Sequence, residues 1–413
     1  MASAQDTSTK QTTFDKLLEP LRTKLKAIED KREIHHREML SFTAFVRLLV
    51  YYFTTPLESG RQLLNSTLSA AQELGLPKVK RSTFFDAFKR FPVEWFVILL
   101  SVLLTSIVWK TIPEMDMLGK LYCVDGSLFP ALATMLWAEY QSQNNAVRLH
   151  LVFELNRMIA VQFIVDAGNS NEKTALAKMI EAGVTYIADR GYAKFSLLAE
   201  IAVNAYFVFR MKKNLNYTVV ETLTVNLPQC VQHIFSAVSD RRVRLPGAKG
   251  KPIYRLVIFW VGKEQYLILT NRLDLTTFQV ILLYAYRWQV ELVFRFLKRT
   301  IGGLHLLSTS EEGVTIQFYV LLIAALLQLR LKQQCVAACE CPTVPVSSEN
   351  TIAGLMVDEA LLTDARGSTF LATVGKKLHR YWKISIHWLN TLRNLLAQPF
   401  DYRAILLLGR ICL

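Results

Sequence analysis

Tyr284, Arg287, Glu291 and Lys298 follow one another at intervals of three, four and seven residues within YAYRWQVELVFRFLK. On a helix turning about 100° per residue, the four fall within an arc of about 60° on one face. A phenol, a guanidinium, a carboxylate and an ammonium then point the same way. Arg and Lys are donors only and pair with phosphate. A tyrosine hydroxyl can donate to a phosphate oxygen, and a carboxylate can ligate a hard cation. Together they suit phosphate chemistry. The same pattern also suits an amphipathic helix with i,i+4 pairs such as Arg287–Glu291, burying Leu282, Leu283, Trp288, Leu292, Val293, Phe296 and Leu297 on its other faces.

The elements that must position this face can be read outward from it. Asp274 or Thr276 can cap the helix, and no Gly or Pro interrupts the sequence before Gly302, so one long helix is expected. Upstream, Leu121 to Val124 is a short apolar run ending at Asp125. Val147 to Glu154 and Ile159 to Val165 read as a hairpin with Asn156 and Arg157 between them. Asn171 to Ala182 reads as a helix ended by Gly183. Val184 to Ala188 is another apolar strand, ending at Asp189. Phe195 to Val203 looks helical and Ala205 to Met211 strand-like. The order β-β-β-α-β-α-β is that of an RNase H-like core, by analogy of fold alone.

Residues 216–270 break this alternation. Thr and Val runs lead to strands Ile253 to Val261 and Gln265 to Leu269, joined at Gly262-Lys263-Glu264. This β-rich insertion carries Arg241, Arg242, Arg244, Lys249 and Lys251 within eleven residues. That cluster suits either a solvated loop or a phosphate-contacting one. The first 95 residues read as helical. Ser59 to Leu74, Gly75, the basic stretch Lys78, Lys80 and Arg81, and a helix capped by Ser82 fit a helix-turn-helix or a plain helical hairpin.

Three segments carry a family resemblance. Tyr284-x2-Arg287-x3-Glu291-x6-Lys298 resembles the signature of bacterial insertion-sequence transposases of the Asp-Asp-Glu superfamily, the "insertion sequence four" family. Cys123-Val124-Asp125-Gly126-Ser127 resembles that family's first-aspartate motif, and Ala188-Asp189-Arg190-Gly191-Tyr192 its second. They come in the family's order, with the β-rich insertion between the second and third. The resemblance spans about Leu121 to Arg330.

It implies an α/β fold: an RNase H-like catalytic core interrupted by a β-rich insertion, with helical N- and C-terminal regions. The expected organisation is a helical DNA-binding region at 1–95, core at 96–215, insertion at 216–270, core with the catalytic helix at 271–330, and a C-terminal helical region at 331–413. Asp125, Asp189 and Glu291 would be catalytic and would hold two Mg²⁺ or Mn²⁺ ions. Two ions about 3.5–4 Å apart can serve both the attacking and the leaving oxygen of a phosphodiester. Tyr284, Arg287 and Lys298 would grip DNA around the cut. The implied activity is cut-and-paste transposition: nicking at the element's ends, 3′-hydroxyl attack to form a hairpin, hairpin opening and strand transfer. Partners would be terminal inverted repeats, target DNA and a second protomer. The same residues leave open a metal-dependent nuclease without strand transfer, or a DNA-binding protein with a degenerate site. Asp166 and Glu139, which match no motif, serve as internal controls.

Bulk properties agree. The chain has 413 residues, 52% hydrophobic and 20% charged, with a net charge of +14. That composition can form a large core, and a basic surface favours a polyanion. Mean hydropathy is +0.24, yet the apolar runs Trp95 to Trp109 and Phe318 to Leu327 fall short of the roughly 20 residues a spanning helix needs. Buried helices explain them. MASAQDTSTKQTTFDKL lacks an apolar h-region, so no secretory signal is read. Cys123, Cys230, Cys335, Cys339, Cys341 and Cys412 form no paired or zinc framework. A cytoplasmic, nucleoid-associated protein is expected.

Overall fold

The computed structural model describes residues 13–339 apart from 56, 110, 112, 142–143, 247–251 and 300–304. These residues divide into two compact units, one within Met1–Trp109 and Leu297–Tyr381, the other within Lys110–Phe296 and Trp382–Leu413. Lys249, Lys251, Cys341, Cys412 and the region beyond residue 339 lie outside the described residues.

The first unit is helical: α1 (Thr13–Lys31), α2 (Phe42–Thr54), α3 (Gly60–Leu74), α4 (Arg81–Arg90) and α5 (Val93–Ser106). In α1, Phe14, Leu17, Leu18, Leu21, Leu25 and Ile28 recur at helical spacing and are buried. α2 is mostly apolar and ten of its thirteen residues are buried, so it is the unit's central helix. Ser41 and Ser59 cap α2 and α3 by accepting from Ala44 and Gln62 backbone N–H groups. α4 begins one residue before Ser82, with Lys80 as a cap that makes no side-chain bond. Phe42, Phe45, Phe84, Phe88, Phe91 and Phe96 meet ring to ring at the centre.

The second unit opens with the single turn α6 (Pro113–Asp116), then β1 (Lys120–Pro130), β2 (Glu139–Gln141), β3 (Asn144–Glu154) and β4 (Ile159–Ala167). There follow α7 (Glu172–Ala177), β5 (Val184–Ala188), α8 (Phe195–Asn204) and β6 (Tyr206–Arg210). β4, β3, β1, β5 and β6 lie side by side in that order; the first three pair antiparallel, and β1–β5 and β5–β6 pair parallel. That is the topology of an RNase H-like core. Two expectations are corrected. β1 runs through Asp125 to Pro130 because β3 pairs with it along its length, whereas the parallel pairing with β5 stops at Cys123↔Ile187. α7 ends at Ala177 rather than Ala182; its Asn171 cap accepts from Lys173 N–H.

The insertion forms β7 (Thr218–Leu223), β8 (Phe235–Arg244), β9 (Ile253–Val261) and β10 (Glu264–Thr270). It is not a separate layer: β10 pairs with β6, so a single ten-stranded sheet runs β2-β3-β1-β5-β6-β10-β9-β8-β7, with β4 beside β3. Arg241, Arg242 and Arg244 stand on strand β8 rather than in a loop, and Arg242 pairs with Glu221 at 2.9 Å.

The expected long helix is two: α9 (Thr277–Tyr286) and α10 (Trp288–Arg299). Thr276, not Asp274, caps α9, in a capping box with Gln279. At Arg287 the ladder tightens: Arg287 N–H donates to Tyr284 O, and Val290 N–H to Arg287 O, both three residues back. α11 (Glu311–Cys339) then returns to the helical unit, against α5 and α2. Its stretch Glu311–Leu331 is long and apolar enough to cross a membrane, which corrects the length argument from sequence; 67% of its most apolar window is buried inside the protein, as in a core helix.

One buried network anchors α9 to the sheet. Asp240 on β8 and Arg255 on β9 pair at 2.5 Å, with both side chains almost fully buried. Thr277, the first residue of α9, donates to Asp240 at 2.7 Å, and Arg255 also donates to the Leu275 carbonyl. Asp240→Ala leaves the Arg255 charge buried without its main partner. Urea unfolding should show a loss of about 3–5 kcal/mol; a loss under about 1 kcal/mol, the range of exposed pairs, overturns this.

Candidate active site

Asp125 is on β1, just beyond the end of the parallel β1–β5 pairing. Asp189 directly follows β5. Both therefore emerge at the carboxyl ends of neighbouring parallel strands, where α/β sheets place ligands. Side chains alternate along β1: Tyr122 and Val124 enter the core with α7 and α8, while Cys123 and Asp125 face the other way, Cys123 Sγ lying 3.8 Å from the Tyr286 carbonyl.

The α9–α10 junction meets that face. Arg287, only 8% exposed, donates through one nitrogen to Asp125 Oδ2 at 3.2 Å and through the other to Glu291 Oε1 at 2.7 Å. One guanidinium thus joins a strand carboxylate to a helix carboxylate. Tyr284 Oη donates to Asp189 Oδ1 at 3.0 Å, from a side chain that is buried. The tight turn at Arg287 falls where these contacts are made. Lys298, further along α10, is half-buried, and burial lowers its pKa.

Charge is finely balanced here. Burial pushes the Asp125 carboxyl up to about 6; Arg287 and the Gly126 N–H, which donates to Oδ1 at 2.8 Å, pull it down, and Glu291 and Glu172 add to the push. Burial opposes the Arg287 charge, yet Tyr284, Asp125, Glu291 and Asp189 around it raise its pKa. Burial and the neighbouring Asp189 push the Tyr284 hydroxyl well above its ordinary range, so it is a donor at any working pH.

Among the described residues, no three His, Cys, Asp or Glu side chains stand close enough to hold one ion. Asp125 and Glu291 meet on Arg287, whereas Asp189 is held by Tyr284. Mg²⁺ binds through one or two carboxylates and keeps several waters. Asp125 and Glu291 fit as hard oxygen donors, and the point between them already attracts a positive charge, supplied by Arg287.

Arg210 and Glu172, both near the site, carry no sequence motif. Arg210 ends β6, pairs with Glu264 at 2.6 Å, stacks over Tyr266 and lies 3.9 Å from Asp189 Oδ1. Glu172 pairs with Arg148 at 2.6 Å beside Gly126 and Gly191. The parallel register Ala188↔Phe209 could have flagged Arg210, since it puts the end of β6 beside Asp189.

The chain is similar to known proteins. The family described as "Transposase DDE domain" matches residues 117–327. A Sinorhizobium fredii protein named as a transposase is 28% identical over 255 residues, covering 59% of this chain and 69% of the relative. A Geobacillus stearothermophilus protein named as the transposase for insertion sequence element IS5377 is 22% identical over 292 residues, covering 70% of this chain and 76% of the relative. The match runs across the strand aspartates, the insertion and the junction that joins Asp125 to Glu291, so the chain belongs to the Transposase DDE domain family and is a DNA transposase, an enzyme that acts on DNA with divalent metal.

Proposed function

We propose that the chain is a cut-and-paste transposase of the "insertion sequence four" type, with Asp125, Asp189 and Glu291 as its catalytic carboxylates. The observation that carries this reading is the Arg287 bridge: the third motif's arginine touches both the first motif's aspartate and its own glutamate. Two Mg²⁺ or Mn²⁺ ions, when bound, would polarise the attacking water or 3′-hydroxyl and stabilise the leaving alkoxide. Asp125, Asp189 and Glu291 would hold them. Tyr284 fixes Asp189 through Oδ1. Arg287 and Lys298 contact the DNA backbone, Arg287 by exchanging a carboxylate oxygen for a phosphate oxygen as DNA arrives. Tyr284 completes that grip by keeping the second aspartate in place.

The substrates are the element's terminal inverted repeats and a target duplex, bound by a homodimer on paired ends in the bacterial cytoplasm. The 1–95 region supplies DNA binding, with Lys78, Lys80 and Arg81 exposed at the α3–α4 turn; the core at 96–215 and 271–330 supplies chemistry, the 216–270 strands widen its sheet, and 331–413 offers a dimer surface. The test is incubation of the full chain with a pre-cut repeat end and supercoiled target, with and without Mg²⁺. Metal-dependent joining of the end to the target is expected. Cleavage without joining points instead to a nuclease, and neither activity overturns the reading.

A further inference from the structure

Each aspartate motif carries a glycine close behind its acid, Gly126 after Asp125 and Gly191 after Asp189. Neither has a positive φ, so backbone conformation does not demand glycine at either position. Space does. A Cβ on Gly191 would stand 2.7 Å from Glu172 Oε2, closer than two such atoms approach. A Cβ on Gly126 would stand 3.4 Å from both Glu172 Oε1 and His150 Nδ1, and 3.7 Å from Tyr192 Oη. One carboxylate therefore faces the backbones of both motifs.

That carboxylate is firmly held. Arg148 on β3 donates to Glu172 Oε1 at 2.6 Å and twice to the Gly168 carbonyl, at 3.0 and 2.8 Å, so it secures both ends of the segment leading into α7. His150, two residues along the same face of β3, meets Ser170 Oγ at 3.1 Å. His150 and Tyr192 are both almost wholly buried, and His150 Nδ1 and Tyr192 Oη have no partner among the described residues. Both point at the space above Gly126 that Glu172 flanks. Gly126 pairs with His150 across the strands, so this polar niche is on the α7 face of the sheet, opposite the face that Asp125 presents to α9.

We propose that Glu172, held by Arg148, is a positioning residue of the active site, a strut that sets the Asp125 and Asp189 segments against each other from behind the sheet. The inference rests on the assignment of Asp125 and Asp189 as catalytic. Glu172 does not touch the reacting atoms. Its carboxylate fills the gap that the two glycines leave, so β1 and the turn after β5 cannot close up or slide. Misplacing a catalytic group by about 1 Å can cost on the order of 100-fold in rate, so a strut at this point governs turnover more than it governs binding.

The test uses the full chain, a duplex carrying the element's own end, and Mn²⁺, well below the melting temperature of every variant. Glu172→Ala should slow single-turnover cleavage about 10- to 100-fold, with end affinity within about twofold because phosphate contacts dominate it. Glu172→Gln, which keeps the shape and an acceptor for Arg148, should recover most of that loss. Gly191→Ala should slow cleavage in the wild-type background but have little further effect beside Glu172→Ala, since the clash is gone; such non-additivity marks direct contact. The same coupling should appear in melting temperatures without any assay of activity. Three results overturn the strut: cleavage by Glu172→Ala at the wild-type rate, Glu172→Gln as slow as Glu172→Ala, or independent effects of the Glu172 and Gly191 changes. Asp125→Asn run alongside separates the two readings. If it cleaves normally, the site assignment fails; if it is inactive while Glu172→Ala is normal, only the strut fails.

Discussion

Asp125→Asn, Asp189→Asn and Glu291→Gln should each reduce end cleavage by at least about 1000-fold, as expected when one member of a catalytic set acting as a unit is lost. End binding should stay within a few-fold, because the phosphate contacts are untouched. Asp125→Asn carries a second signature. Its folded carboxyl titrates at about 6 against an ordinary 3.8. The folded state therefore holds that proton more tightly than the unfolded chain, and stability contributed by the protonated form is lost as pH rises from about 4 to 6. At pH 7 the ionised group costs up to roughly 3 kcal/mol. Asparagine removes that cost, so the variant should melt higher than wild type at pH 7 and show a flatter stability profile between pH 4 and 6. Lost activity with gained stability is the mark of a carboxylate kept for chemistry. A lower melting temperature at pH 7 sinks the electrostatic account. Asp166→Asn is the control: on β4, its carboxylate accepts the Ala167 N–H, and the variant should keep most activity. If it were as inactive as Asp189→Asn, the second carboxylate would be misassigned.

Much of the core was legible because its signals are local. β5 is a short, mostly apolar run closed by Asp189, and its five residues are all buried. The hairpin of β3 and β4 and the Thr276 cap were likewise written in short stretches of chain. What was not legible depended on pairing across the chain. The length of β1 is set by β3, not by its own hydrophobicity. The insertion reads as a separate β-rich block, and only the β10–β6 ladder shows it to be an extension of the core sheet. The break at Arg287 has no Gly or Pro to announce it. It coincides with a side chain bonded to two carboxylates, one of them 162 residues away. Glu172 was invisible for the same reason: its partners are on β3 and its contacts are glycines in two distant motifs, so no spacing rule singles it out.

By spacing alone, the two cations among Tyr284, Arg287, Glu291 and Lys298 are equivalent, and the structure separates their expected behaviour. Arg287 is almost buried against two acids, whereas Lys298 is half-buried. Arg287→Ala should leave Asp125 and Glu291 facing each other without their counter-charge. Breaking a buried pair costs about 3–5 kcal/mol, and the loss should be largest at pH 7 and shrink towards pH 5, where Asp125 takes up its proton. Mg²⁺ should then raise the melting temperature of Arg287→Ala more than that of wild type. It binds a site no longer filled by a guanidinium, and ligand binding to the folded state stabilises it by mass action. Lys298→Ala should show neither the pH-dependent loss nor the extra metal response. Both variants should flatten the salt dependence of end binding, by about one unit of slope for each phosphate the missing cation would have neutralised. Affinity across a salt series, with melting curves at pH 5 and 7 with and without Mg²⁺, distinguishes the outcomes. A lower melting temperature for Arg287→Ala with an unchanged salt slope confines Arg287 to the carboxylates, and an equal Mg²⁺ response in variant and wild type removes it from the cation position altogether.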